Sequence, residues 1–189
     1  MQVNLLPAIQ NVDFNFENSS TIIVANRNCS EIKLVGLSIG PFEEGSEYEV
    51  CYWVATELVK SGMGRFREDE KLSLNKLNKV QWTERVQTVG QISKLSEEFY
   101  PRLRRFISEL ENGSNKNPEK TQELEKARHL SRDIVNSRLR KIVSIASAPA
   151  QTEQVLRNLT GEERFLYRQL YRLINEWRTH ILEKGSVEE

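Results

Sequence analysis

Few residues of this 189-residue chain could do covalent, redox or metal chemistry. Cysteine occurs twice, at Cys29 and Cys51, in no C-x-x-C pattern. One bridge could join the two, but two thiols do not make a disulfide framework, and reduced thiols in an intracellular protein are expected. Histidine also occurs twice, at His129 and His180, amid polar neighbours and without metal-ligand spacing. There is no G-x-S-x-G nucleophile motif, and Gly36-x-x-x-Gly40-Pro41 lacks the glycines and the Lys-Ser/Thr of a phosphate loop. No catalytic residue, cofactor site or metal site is expected, so the chain reads as a non-enzyme. No apolar run approaches the ~20 residues that a membrane-spanning helix needs, and the mean hydropathy is −0.56. Residues 1–10, MQVNLLPAIQ, lack the basic start of a signal peptide. The N-x-S/T sequons at Asn18, Asn28, Asn112 and Asn158 are accordingly read as chance.

Net charge is absent too, with 27 basic and 27 acidic residues, but the balance hides a split. Through Lys60 there are three basic residues against eight acidic ones; the remainder carries 24 against 19. Two regions facing different partners would produce this, as would two solvated faces that drew different charges.

Hydrophobic period changes at the same place. Residues 21–25, TIIVA, are β-branched, and residues 31–35, EIKLV, alternate with period two, as strands do. Phe14 and Phe16, two apart, suggest an earlier strand. Gly36, Gly40, Pro41 and Gly45 mark loops and tight connections, and Glu43, Glu44, Glu47 and Glu49 read as a solvated run. Residues 50–60, VCYWVATELVK, switch to helical spacing through Val54 and Leu58. After Gly62-Met63-Gly64 the whole chain reads as helical. One stripe runs Val86, Val89, Ile92, Leu95, Phe99, Leu103, Phe106 and Leu110, with a kink or break expected near Pro101. A second helix is expected over 119–147, with Leu124, Leu130, Ile134, Leu139, Ile142 and Ile145 inward. Thr160-Gly161-Glu162-Glu163 fits a capping box and starts a last helix, with Leu166, Leu170, Leu173, Trp177 and Ile181 as its core stripe and Gly185 ending it. The expected class is α+β: a small N-terminal β-rich domain over 1–61, a boundary at 62–78, and a larger all-α bundle over 79–189.

Basic residues crowd the helical half. Arg128, Arg132, Arg138, Arg140 and Lys141 could contact DNA phosphates, or could form a solvated, salt-bridged face. Phe99, Phe106, Leu110, Leu166, Tyr167, Leu170, Tyr171 and Ile174 widen the apolar surface beyond one stripe and are expected to form a partner interface.

The order of motifs resembles a known family. Gly40-Pro41-Phe42, a short acidic spacer and Gly45 are followed by a helix start carrying Trp53 and Leu58. That pattern is similar to subunits of the GINS complex, in the class that places its β domain first. Agreement continues through Lys79-Val80-Gln81-Trp82-Thr83-Glu84 and Arg140-Lys141-Ile142-Val143 to the L-T-x-E-E start at Leu159, covering about residues 32–182. Cys51 replaces the family's proline before the tryptophan, and Tyr52 stands where leucine is common. The sequence resembles archaeal members more than eukaryotic ones. The resemblance implies a non-enzymatic replication scaffold. It would join a sister subunit of reverse domain order in a two-plus-two tetramer, bridging the MCM helicase and a RecJ-like or Cdc45-type protein. The place would be the cytoplasm, at the nucleoid, or the nucleus if the source is a eukaryote. The alternative function is a helical DNA-binding protein acting through the basic residues, with DNA at most a weak partner of the scaffold.

Overall fold

The computed structural model describes residues 5–34, 36–67, 71–87, 91–114, 118–149 and 153–182. The chain divides into two compact units, one spanning Asn11–Leu72, the other Ser73–Glu189 together with the chain's start through Gln10. That edge lies in the 62–78 interval, which also contains a strand and the first residues of a helix.

Helix α1 (Leu6–Glu17) overturns the strand expected at Phe14 and Phe16. The governing spacing is Ile9, Val12 and Phe16, which puts Phe16 inward and leaves Phe14 67% exposed. β1 (Ser20–Ala25) is the centre of a three-stranded antiparallel sheet. One edge is β4 (Glu47–Cys51), with Ser20 opposite Cys51; the other is β5 (Gly64–Phe66), with Ile23 opposite Phe66. β5 corrects the reading that everything after Gly62 is helical: three residues are too few to show a period. β2 (Ile32–Leu34) and β3 (Leu37–Ile39) form a separate hairpin.

The alternation of β1 sends Thr21, Ile23 and Ala25 to one face. Against them lie Val50 and, from α2 (Tyr52–Lys60), Val54, Ala55 and Leu58. Sequence spacing starts this helix at Val50, but Val50 and Cys51 pair with β1 instead. α2 ends where Gly62 adopts φ +72, with Gly62 N–H donating to the Val59 carbonyl and Met63 N–H to that of Leu58. This double bond pattern needs a left-handed residue, which glycine adopts without strain.

The second unit is built around one long helix, α5 (Pro118–Ser147), against which α3 (Leu74–Val86), α4 (Phe99–Ser114) and α7 (Gly161–Leu182) pack. The four-residue α6 (Glu153–Leu156) precedes α7. The Ser73 hydroxyl caps α3 by accepting from Lys76 N–H at 3.4 Å. The expected stripe from Val86 to Leu110 is not one helix. α4 starts at Phe99, so Pro101 sits in the first turn, where its missing N–H costs no helix bond. Ile92 and Leu95 reach the core from non-helical chain, and Val86 is exposed. Four inward assignments, on two helices, also fail. Leu139 of α5 is 42% exposed, and Leu173, Trp177 and Ile181 of α7 are each more than 60% exposed. In the far half of α7 Ile174 still packs on the core and Arg178 Nη2 donates to the Ser147 carbonyl at 2.6 Å, while the side that carries Leu173, Trp177 and Ile181 is left to solvent. Val89 and Gly185 lie outside the described residues.

Candidate functional site

The G-P-F motif organises the loop side of the β unit. Phe42 is buried, exchanges backbone hydrogen bonds with Cys29 at 2.8 and 2.9 Å, and meets Tyr48 edge-on with centroids 4.8 Å apart. Gly40 holds φ +90, and a Cβ there would come within 3.1 Å of the Phe42 ring. Pro41 and Gly45 are exposed in the loop that carries Phe42. Leu58 is core, whereas Trp53 is 39% exposed on the outer side of α2. Tyr52 is held between Phe16 at 4.3 Å and Phe66 at 5.4 Å, which accounts for an aromatic ring at this position.

In the helical unit the densest chemistry is a closed network of charge. Arg138 of α5 is fully buried. Its Nε and Nη2 grip both oxygens of Glu163 at 2.6 and 2.5 Å, a bidentate pairing. Nη1 donates to Glu84 Oε1 and to the Ser93 carbonyl, both at 2.7 Å, and Nη2 donates to the Asn158 carbonyl at 3.3 Å. One helical turn on, Lys141 Nζ donates to Glu84 Oε2 at 2.7 Å and to its carbonyl at 2.9 Å. The Ser93 hydroxyl donates to Glu84, and Tyr100 OH donates to Glu163 Oε1 at 2.6 Å. Two cations thus face two carboxylates, and the sum is neutral.

Burial alone would raise the pKa of Glu84, but Lys141, Ser93 and Arg138 outweigh it and hold the carboxyl below its ordinary range. The Tyr100 phenol is pushed well above its usual value by burial and by the Glu163 carboxylate. The guanidinium of Arg138 is held more tightly protonated than usual: burial opposes this, and Glu163 and Glu84 override it.

The network corrects the reading of the basic helix. Arg138 and Lys141, possible DNA contacts by sequence, have no access to a phosphate. Arg128 is exposed but bonded to Glu111 at 2.8 Å and Glu125 at 3.3 Å. Arg132 and Arg140 remain on the surface. Of the apolar residues expected at a partner interface, Phe99, Leu110 and Tyr167 are buried in their own unit, while Phe106, Leu166, Leu170, Tyr171 and Ile174 are half-buried. Sequence reasoning missed Glu84 and Glu163 as partners of Arg138. The signal was there: Glu84 falls seven residues after buried Leu77, and Arg138 and Lys141 fall in register with Ile134, Ile142 and Ile145.

Beside the network lies an apolar cleft of about 270 Å³, lined by Leu5, Ala8 and Ile9, by Val135, Leu139 and Ile142 of α5, and by Phe165 and Leu166 of α7, among others. Arg138 and Glu163 also border it, with their polar atoms already engaged by each other. Among the described residues no three His, Cys, Asp or Glu side chains gather to hold a metal ion. His129 and His180 are exposed, and both cysteines are free thiols. No described helix is long and apolar enough to cross a membrane.

The described residues thus comprise a small β unit, a helical bundle whose buried charges neutralise one another, and large apolar side chains left exposed on α7. The chain matches the GINS complex protein helical bundle domain over residues 71–182 and the PSF2 N-terminal domain over residues 8–66. It is 30% identical over 143 residues to the DNA replication complex GINS protein PSF2 of Homo sapiens, spanning 75% of this chain and 73% of that protein. The chain therefore belongs to the GINS complex family: it is a PSF2-like, non-catalytic subunit of a DNA replication complex, and its membership implies other GINS subunits as companions.

Proposed function

We propose that this subunit joins a sister GINS subunit of reverse domain order in a two-plus-two tetramer, through the far half of α7. The observation that carries this is the run Leu173, Trp177 and Ile181, four residues apart on one helix face and 62–63% exposed. Monomeric proteins seldom leave large apolar side chains aligned in this way unless another chain covers them. Half-buried Leu170, Tyr171 and Ile174 border the run and extend it toward the bundle. Trp is among the residues that most often anchor interfaces.

The tetramer in turn links the MCM helicase to a RecJ-like or Cdc45-type protein at the fork, on chromatin in a eukaryote and at the nucleoid in an archaeon. This part rests on family membership. The rival reading, DNA binding through the basic residues of α5, loses Arg138 and Lys141 to the interior and Arg128 to ion pairs.

Co-expression with the other GINS subunits, followed by native mass measurement, tests the interface. Trp177→Glu and Leu173→Glu should prevent assembly while leaving helical content and thermal midpoint nearly unchanged. Normal assembly of both variants would overturn the proposal.

A further inference from the structure

The outer face of α3 combines an exposed indole with exposed basic side chains. Asn78, Lys79, Trp82, Arg85 and Val86 recur at three- and four-residue spacing and are all exposed, with Trp82 at 66%. The one carboxylate of α3, Glu84, is turned inward and neutralised by Arg138 and Lys141. The outer face therefore carries cations and no anion of its own. Lys79 and Arg85 stand one turn before and one turn after the indole, and neither has a side-chain hydrogen bond or ion pair among the described residues. Elsewhere on the bundle several arginines are neutralised: Arg102 by Glu98, Arg104 by Glu162 and Arg164 by Glu97. Across the α3–α5 seam, Asp133 accepts from Gln81 at 3.2 Å and lies 3.5 Å from His129. On α5, Ser137 donates to the Glu84 carbonyl, and one turn further on the exposed Arg140 adds another cation.

We propose that this face of α3 binds single-stranded nucleic acid, with Trp82 as the surface on which a base stacks and Lys79 and Arg85 as contacts to the flanking phosphates. An aromatic ring between cations is the arrangement by which single strands are held without sequence readout, since every base has a stacking face. The site differs from the α5 cluster weighed from the sequence, and it needs no groove for a duplex. The inference rests on the replication reading only for where single strands would be met.

The test uses the full chain assembled with the other GINS subunits, its mass confirmed beforehand, and a fluorescein-labelled 20-mer of thymidine read by anisotropy. Trp82→Ala should weaken binding by about tenfold, the range that loss of one stacked base produces, while Trp82→Phe largely retains it. Lys79→Ala with Arg85→Ala should flatten the slope of log affinity against log salt by about 0.7 for each phosphate no longer neutralised. Because these side chains are exposed, helical content should not change. Equal affinity of Trp82→Ala and the parent complex would overturn the site, as would an unchanged salt slope. Competition by an acidic, apolar peptide that depends on Trp82, in place of oligonucleotide binding, would also overturn it and make the face a protein site. In each of these outcomes an intact complex leaves the proposed assembly standing.

Discussion

Arg138 carries a full charge with no exposed surface, and it does so because each of its nitrogens has an acceptor. Removing such a partner leaves the opposite charges buried and uncompensated. Arg138→Met should therefore destabilise the helical unit by about 3–5 kcal/mol, measured as a shift in the urea midpoint. Replacing Glu84, Glu163, Arg138 and Lys141 together by apolar residues of similar volume should recover most of that stability, since it removes the charges along with their pairing. Acid acts on the same group of residues. The folded-state pKa of Glu84 lies below its ordinary 4.5, so the stability this carboxylate contributes is complete above that value and is lost as pH falls through the lower, folded-state value. Urea unfolding at pH 6 and at pH 3 should show the parent losing more stability between the two than Glu84→Gln does.

α7 shows both what the sequence discloses and what it hides. Its start was legible: Thr160 N–H donates to Glu163 Oε2 at 3.0 Å and Glu163 N–H to Thr160 Oγ1 at 3.4 Å, the reciprocal bonds of a capping box. Thr160→Ala should cost about 1 kcal/mol in thermal or chemical unfolding. The depth of its stripe was not legible. Leu166 and Trp177 look alike in sequence, because a helical period records direction around the axis and says nothing of where the neighbouring helices stop. α5 hid the reverse case. Arg138 and Lys141 read as surface because charge is mostly solvated, although their register with Ile134, Ile142 and Ile145 placed them inward. β1 and the position of the β-rich region were legible from β-branching and alternation. β5 was too short to be, and in α1 one pair of phenylalanines two apart masks the three- and four-residue spacing that governs.

At the scale of the whole chain, charge follows the division into units. Residues 11–72 carry six basic and eleven acidic side chains, and the rest of the chain holds the matching excess of base. The units meet in sequence at Leu72–Ser73, next to the polar run Arg67-Glu68-Asp69-Glu70-Lys71, whose middle three residues lie outside the described ones. Limited trypsin digestion should cut at Arg67 or Lys71 before it cuts within α5 or α7, giving fragments whose masses sum to the chain; first cleavage inside α5 would refute this. Glu163 serves two helices at once. One carboxylate both closes the first turn of α7 and accepts the guanidinium of Arg138, so the opening of that turn exposes an arginine lodged in the middle of another helix. The amides of Thr160 and Glu163 should for that reason not fray as helix starts ordinarily do. In hydrogen exchange they should be released only with the global unfolding that frees the centre of α5, while the far end of α7, tied to nothing comparable, exchanges early.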